Sequence, residues 1–284
     1  MTSNGSAPAV VAGEAAAAVA PSQTAEPATD LRAAAFFDID NTVVRGASLF
    51  HLARGLAKRK FFTASDVASF AWKQAKFRVA GNEDLDDMAS AIDAALSFVA
   101  GHSIDELGQL TDEIFDERIE GKLYSGTLAL AEQHLASGQR VWLVSAAPIE
   151  VASVIARKLG LTGALGTVSE VVDGIYTGRL VGAPLHGPAK AEAVRALAER
   201  EGLDLALCAA YSDSANDIPM LTLVGQPVAV NPDARLRRHA RALGWNIYDY
   251  RTGRKAAKIG VPTAVVTGAA AGIAVGVLTG RRRR

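Results

Sequence analysis

The chain has a single cysteine, Cys208, in 284 residues. A disulfide within the chain is therefore excluded, and a reducing compartment is compatible. Cys208 lies inside an apolar stretch, where packing rather than nucleophilic chemistry is expected. There are five histidines, and they are scattered. With one thiol, no Cys/His group has the spacing of a zinc site. His51, His102 and His186 therefore read as core or surface residues, although His186 lies just before a lysine discussed below. Export is not expected either. Ala7 to Ala20 has the small residues of a signal peptide, but no basic n-region precedes it and Glu14 interrupts it. Residues 1–30 are Ala, Pro, Ser, Thr, Gly and Glu without periodicity, which predicts a disordered arm.

The chain also lacks net charge, with 30 basic and 30 acidic residues. Their distribution is uneven. From Arg235 onward there are 12 Lys/Arg and one acid, Asp249, giving +11, so the preceding chain carries −11. A basic end on an acidic body predicts an anionic surface as partner. Aromatics are few in that region and no nucleic-acid motif is present, so no nucleic-acid partner is expected.

What is present suffices for a large core. At 49% hydrophobic, 284 residues can bury an α/β domain and a smaller second one. The most informative stretch is Ala33-Ala34-Ala35-Phe36-Phe37, followed by Asp38-Ile39-Asp40-Asn41-Thr42. The apolar run reads as a short buried strand that delivers two carboxylates to the tip of a sheet. Adjacent negative charges repel, so a cation or a proton-transfer role is expected to compensate. Ligands bind outside the carboxyl ends of strands in open α/β sheets, which makes this pair the expected catalytic centre.

Three distant pieces fit it. Arg140–Val144 is a second apolar run, ending in Ser145. Leu205–Tyr211 is a third, ending in Ser212-Asp213-Ser214-Ala215-Asn216-Asp217. Between them, Gly187-Pro188-Ala189-Lys190 opens a helix predicted to reach Glu201. Acids suit a hard divalent cation such as Mg²⁺. A hydroxyl, backbone N–H groups and a lysine suit phosphate oxygens, and one aspartate can act as a nucleophile. Singly, each residue is ordinary: the acids could cap turns or helices, Lys190 could be a solvated helix lysine, and serine after a strand is common. One constellation accounts for all of them together.

In these motifs and their order, residues 33–247 resemble the haloacid dehalogenase (HAD) superfamily, and within it subfamily IB, the phosphoserine-phosphatase-like branch. The resemblance implies a doubly wound, Rossmann-like parallel-sheet α/β core (31–46 and 122–250) with an α-helical cap (47–121) inserted after the first motif. It implies Asp38 as nucleophile and Asp40 as general acid and then base. Ser145 and Lys190 would bind the phosphoryl group, with Asn216 orienting it. The Mg²⁺ ligands would be Asp38, Asp40 through its carbonyl, and Asp213, with Asp217 in support. The implied activity is hydrolysis of a small phosphorylated metabolite through an aspartyl-phosphate. The branch carries an acid about nine residues beyond the nucleophile that holds the amine of phosphoserine; Ala47 stands there. Arg54, Arg59 and Arg78 are the candidates for a carboxylate-binding cap residue. A catalytically silent tether for a phosphorylated ligand and phosphotransfer to an acceptor other than water are the alternatives.

Between the first two motifs the pattern is helical. Leu49, Leu52 and Leu56 share a face, as do Val67, Phe70 and Ala71. Ser103-Ile-Asp-Glu106 is a capping box. Asp173-Gly174 between apolar runs predicts a hairpin. Pro227–Val230 and Trp245–Tyr248 read as strands flanking a basic helix. Finally, residues 259–280 hold no charge and are long enough to cross a bilayer. Gly268, Gly272, Gly276 and Gly280 form a stripe that predicts self-association of such helices. Arg281–Arg284 follow. The expectation is a cytoplasmic catalytic domain associated with a membrane, through a spanning or an interfacial helix.

Overall fold

The computed structural model describes residues 30–61, 96 and 99–251. The predicted N-terminal arm, the Val67–Ala71 face, Arg78, the segment 259–280 and its glycine stripe lie outside the described residues. Among the described residues, no helix is long and apolar enough to cross a membrane.

Six parallel strands form the central sheet: β1 (Ala34–Phe37), β2 (Arg140–Pro148), β3 (Gly163–Thr167), β6 (Ala209–Ser212), β7 (Gln226–Val230) and β8 (Asn246–Tyr248). Their order is β3-β2-β1-β6-β7-β8. The chain thus builds outward from β1 on one side and returns to build outward on the other. This places the topological switch point between β1 and β6, where doubly wound sheets bind ligands.

The continuous apolar run of β1 follows from burial on both faces. Ala35 and Phe37 point into one core with Val151, Ile155 and Tyr211, whereas Ala34 and Phe36 point into a second with Val194, Leu197 and Met220. Helices α3 (Ser125–Ala136) and α4 (Ile149–Lys158) cover the first face. Helices α5 (Pro188–Glu201), α6 (Ile218–Leu221) and α7 (Ala234–Leu243) cover the second.

Between β1 and β2 every described element is helical. Helix α1 spans Ser48–Lys58 and α2 spans Ile104–Ile114, continuing through a π turn (Phe115–Ile119) and a 3-10 turn (Glu120–Lys122). Leu52 and Leu56 are buried and Leu49 packs beside them. The capping box forms as expected, with the Glu106 N–H donating to Ser103 Oγ at 3.0 Å. At Gly55 the two helices touch: a Cβ there would stand 2.5 Å from Ile114. The Asp173-Gly174 turn joins β4 (Ser169–Val172) to β5 (Ile175–Leu180) in a separate antiparallel hairpin. Its turn and the start of β5 bond to the chain entering α2, at Gly101, His102 and the first helical residue, Ile104.

One expected strand is shorter than predicted. Leu205–Leu207 is a 3-10 turn, and only Ala209–Ser212 is strand. Asp204 caps that turn by accepting from the Ala206 N–H at 3.1 Å, and Gly225 backs it so closely that a Cβ would collide with the Ala206 carbonyl. Cys208 follows the turn, fully buried, with its thiol near the Asp204 carbonyl.

Candidate active site

The register of three neighbouring strands assembles the site. Phe37 of β1 lies beside Leu143 of β2 and Tyr211 of β6. The next residues along each strand are therefore Asp38, then Ser145 after Val144, and Asp213 after Ser212. All three emerge at one edge of the sheet, with Asp38 in the middle. The Asp38 N–H bonds the Tyr211 carbonyl at 2.9 Å, which continues the ladder to that residue.

Lys190 closes the group from α5. Gly187 takes φ of 54° and Pro188 occupies the first turn of α5, which brings Lys190 inward on the helix's buried face. Its ammonium donates to Asp38 Oδ1 at 2.5 Å and to Asp217 Oδ2 at 2.9 Å. Ser212 Oγ also donates to Asp217 Oδ2, at 2.7 Å. Asp38, Lys190 and Asp217 are all buried.

The electrostatics follow from this burial. Desolvation pushes the Asp38 carboxyl well above its ordinary value; Lys190 pulls it down, while Asp217, Asp213 and Asp40 add to the rise. Burial, then Asp217, raises Asp213 to about 7. Burial disfavours the charge on Lys190, but Asp38 and Asp217 outweigh it and the ammonium holds its proton more tightly than usual. Three inward acids thus face one lysine.

Asp40 is partly exposed and has a second task. Its Oδ1 accepts the Ser48 N–H at 2.8 Å, which ties the carboxylate to the start of α1. The intervening loop is tightly wound: Val43 and Val44 both donate to the Ile39 carbonyl, and Asn41 takes φ of 57°. The hydroxyls of Thr42 and Ser48, on either side of this loop, are buried without a hydrogen-bond partner among the described residues. Buried orphans of this kind call for an explanation, and a bound ligand or water supplies one. Ala47 precedes α1 and brings no charge to this rim.

Ser145 is buried within β2, which runs on to Pro148 rather than ending at Val144, and its Oγ accepts the Ala147 N–H at 3.1 Å. Asn216 is exposed on the turn after Asp213; its N–H bonds Ser214 Oγ. The structure therefore brings Asp38, Lys190 and Asp217 into direct contact, sets Ser145 in β2 and Asp213 just past the end of β6 on either flank, and leaves Asn216 on the rim.

Two residues that hold the site were not singled out from sequence. Asp233 caps α7 through the Leu236 N–H, accepts the Ala215 N–H at 2.8 Å, and donates its own N–H to the Asp213 carbonyl. Asn231, at φ of 49°, donates from Nδ2 to the Asn41 carbonyl at 2.8 Å and accepts the Tyr250 N–H at 2.6 Å. Asn231-Pro232-Asp233 reads only as turn chemistry in sequence. The signal available was an Asn in a turn, a residue that tolerates the left-handed region.

Of the proposed cap cations, Arg59 pairs with Glu113 and Glu117, whereas Arg54 is exposed. A separate cavity of about 760 Å³ lies among the end of α3 and the starts of β7 and β8, at the opposite edge of the sheet. No charged side chain lines it, so it does not belong to the acid site.

Asp38, Asp213 and Asp217 supply only oxygen donors and carry one negative charge more than Lys190 and one further monovalent cation would balance. That donor set and that excess fit a hard divalent ion. Among the described residues, however, no three His/Cys/Asp/Glu side chains already form a metal-holding group. Asp217 Oδ2 accepts from both Lys190 and Ser212. Asp217, expected in support of the metal site, holds Lys190, and Asp38, Asp213 and the Asp40 carbonyl remain the fitting direct donors.

A doubly wound sheet with acids and a lysine gathered at its switch point defines an α/β enzyme of the Rossmann-like class. The particular family follows from comparison: the model of the haloacid dehalogenase-like hydrolases matches residues 35–222, and the chain belongs to that family. It is 57% identical over 258 residues to the Mycobacterium tuberculosis protein named phosphoserine phosphatase SerB1, covering 91% of this chain and 83% of that one. It is 30% identical to a protein of Neisseria meningitidis serogroup C named histidinol-phosphatase, covering 76% of this chain and 98% of that protein. A solved structure of a Bordetella pertussis protein of unknown function superposes with a TM-score of 0.67 at 31% identity, covering 77% of this chain and 98% of the other.

Proposed function

We propose that the protein is a Mg²⁺-dependent phosphatase of small phosphate monoesters that works through an aspartyl-phosphate on Asp38. The observation that carries this reading is the placement of Asp38. It stands buried at the tip of the central strand, in contact with Lys190, with Ser145 on one flank and Asp213 on the other.

In the first step a carboxylate oxygen of Asp38 attacks phosphorus and the bond to the ester oxygen breaks. Asp40 gives its proton to the leaving alcohol. In the second step Asp40 takes a proton from water, whose oxygen attacks the same phosphorus. The acyl phosphate opens, releasing inorganic phosphate and restoring Asp38. Ser145 and Lys190 hold the phosphoryl oxygens. Asp217 keeps Lys190 in place from behind. Asp38, Asp213 and the Asp40 carbonyl would hold Mg²⁺, which when bound neutralises charge on the phosphoryl oxygens. Helices α1 and α2 act as part of a cap that keeps bulk water from the site.

The names of two relatives bear on substrate. Phosphoserine and histidinol phosphate are both phosphate monoesters of amino alcohols, one bearing a carboxylate and the other an imidazole. The uncharged Ala47 at the rim weakens the claim of phosphoserine, because the acid that would hold its amine is missing there. A phosphate-release assay with Mg²⁺ over both compounds, and over sugar, polyol and lysolipid phosphates, tests the proposal. Turnover of an amino-alcohol phosphate is expected, abolished by EDTA and restored by Mg²⁺. Full activity in metal-free buffer, or no turnover of any monoester, overturns it.

A further inference from the structure

The outer face of α7 differs from that of α5, which covers the same side of the sheet. The exposed charges of α5 alternate in sign: Glu192, Arg195, Glu199, Arg200. Those of α7 do not. Leu236 and Ala240 are its buried stripe, and Arg235, Arg238 and Arg241 occupy the arc directly opposite, fully outward. None of the three has an ion-pair partner among the described residues, whereas Arg237 and Arg251 both pair with Asp249. Asp249 is the single acid from residue 235 onward.

The chain leaves this domain at the same corner. Arg251 donates to the Pro232 carbonyl, one residue before Asp233, which in turn bonds Asp213. Tyr250 is held by Asn231, which also holds Asn41 beside Asp40. The exit is thus built into the rim of the acid site. From Arg251 the sequence adds Arg254, Lys255 and Lys258 before the uncharged residues 259–280 begin. Eight residues reach at most about 28 Å.

The geometry points to an anionic lipid bilayer as the partner of this corner: Arg235, Arg238 and Arg241 rest on lipid phosphates, and the mouth of the acid site is held beside the headgroup layer. Charge complementarity supplies the attraction. The uncharged stretch of bilayer length, tethered within that reach of the same rim, favours lipid over nucleic acid, whose phosphates the arginines alone would also attract. The inference is independent of the proposed reaction, since its readouts are binding and orientation.

Full-length protein is sedimented with vesicles of phosphatidylcholine alone and of phosphatidylcholine mixed with phosphatidylglycerol. Stronger binding to the anionic vesicles is expected. Replacing Arg235, Arg238 and Arg241 with Gln should weaken it roughly fivefold per residue, on the order of a hundredfold together, with activity on a soluble monoester unchanged. Orientation is read with a thiol-linked fluorophore, Cys208 being buried. A probe at exposed Ala234 (Ala234→Cys), at the start of α7, should be quenched by a headgroup quencher. A probe at exposed Ser137 (Ser137→Cys), just after α3 at the opposite edge, should not. Binding that ignores the arginines, equal binding to both vesicles, quenching at 137 rather than 234, or capture of DNA or RNA in place of vesicles would each overturn the inference.

Discussion

Two clusters of ion pairs share nearly the same geometry and have opposite surroundings. In the acid site Lys190 meets Asp38 and Asp217 at 2.5 and 2.9 Å, with side-chain exposures of 4%, 7% and 2%. On the outside, Arg157 meets Asp112 at 2.6 Å and Lys158 meets Asp116 at 2.8 Å, with exposures of 61%, 32%, 25% and 58%. The outer pairs join α2 to α4, that is, the inserted helical segment to the core. Distance does not distinguish the two clusters; water does. Outside, each charge stays in contact with water and its loss is cheap. Inside, each charge depends on the others, so removing one strands the rest. The inner cluster is therefore the place where a substituted side chain changes chemistry and stability together.

The sharpest way to break the comparison is at Asp38, the proposed nucleophile. Asp38→Asn should abolish both phosphate release and the phosphoenzyme detected by mass spectrometry, because an amide cannot attack phosphorus. Asp40→Asn keeps the nucleophile and should lower turnover by ~10²–10⁴-fold, with less loss on an aryl phosphate whose leaving group needs no proton. Near-normal turnover by the Asp38→Asn protein would sink the assignment. Next in size is Lys190→Met. It leaves Asp38 and Asp217 buried without their shared cation, and urea unfolding of the metal-free protein should show a loss of about 3–5 kcal/mol. An unchanged midpoint would mean that Lys190 does not balance the two acids in the resting protein. The smallest effect belongs to the outer cluster. Arg157→Ala and Lys158→Ala should each cost roughly 0–1 kcal/mol in the same experiment, less at high salt. A double-mutant cycle between Arg157 and Asp112 that gave a coupling as large as the inner one would erase the distinction.

The sequence revealed the inner cluster more fully than its supports. Asp38 and Asp40 were legible because a run of apolar residues that ends in two acids has one economical reading, a buried strand with a charged tip. Ser145, Lys190 and Asp213 followed from the same logic applied to later strands and to a Gly-Pro helix start. Leu205–Leu207 was misread as strand because its apolar residues run without a break into Ala209; the turn is fixed by the Asp204 cap and the close approach of Gly225, and neither shows in hydrophobicity. Asp217 was legible only as a residue in support of the metal site. Its bonds to Lys190 and Ser212 depend on where α5 packs, which is a tertiary fact. Asn231 and Asp233 escaped for a similar reason. Each bonds across many residues of sequence, to Asn41 and to Ala215, and a turn-forming Asn or Asp carries no mark of a distant partner.

The clasp made by Asn231 has a consequence for how the enzyme comes into being. A ribosome delivers Asp38 first among the site residues and Tyr250 last. Strand β1 is central, so it waits for β2 on one flank and for β6 on the other. The loop carrying Asp40 waits longer still, until Asn231 can grip Asn41 with Tyr250 behind it. A nascent chain that stops short of Tyr250 holds that loop from one side only. The contacts that brace the Asp40 loop from this side are therefore among the last that the growing chain can make.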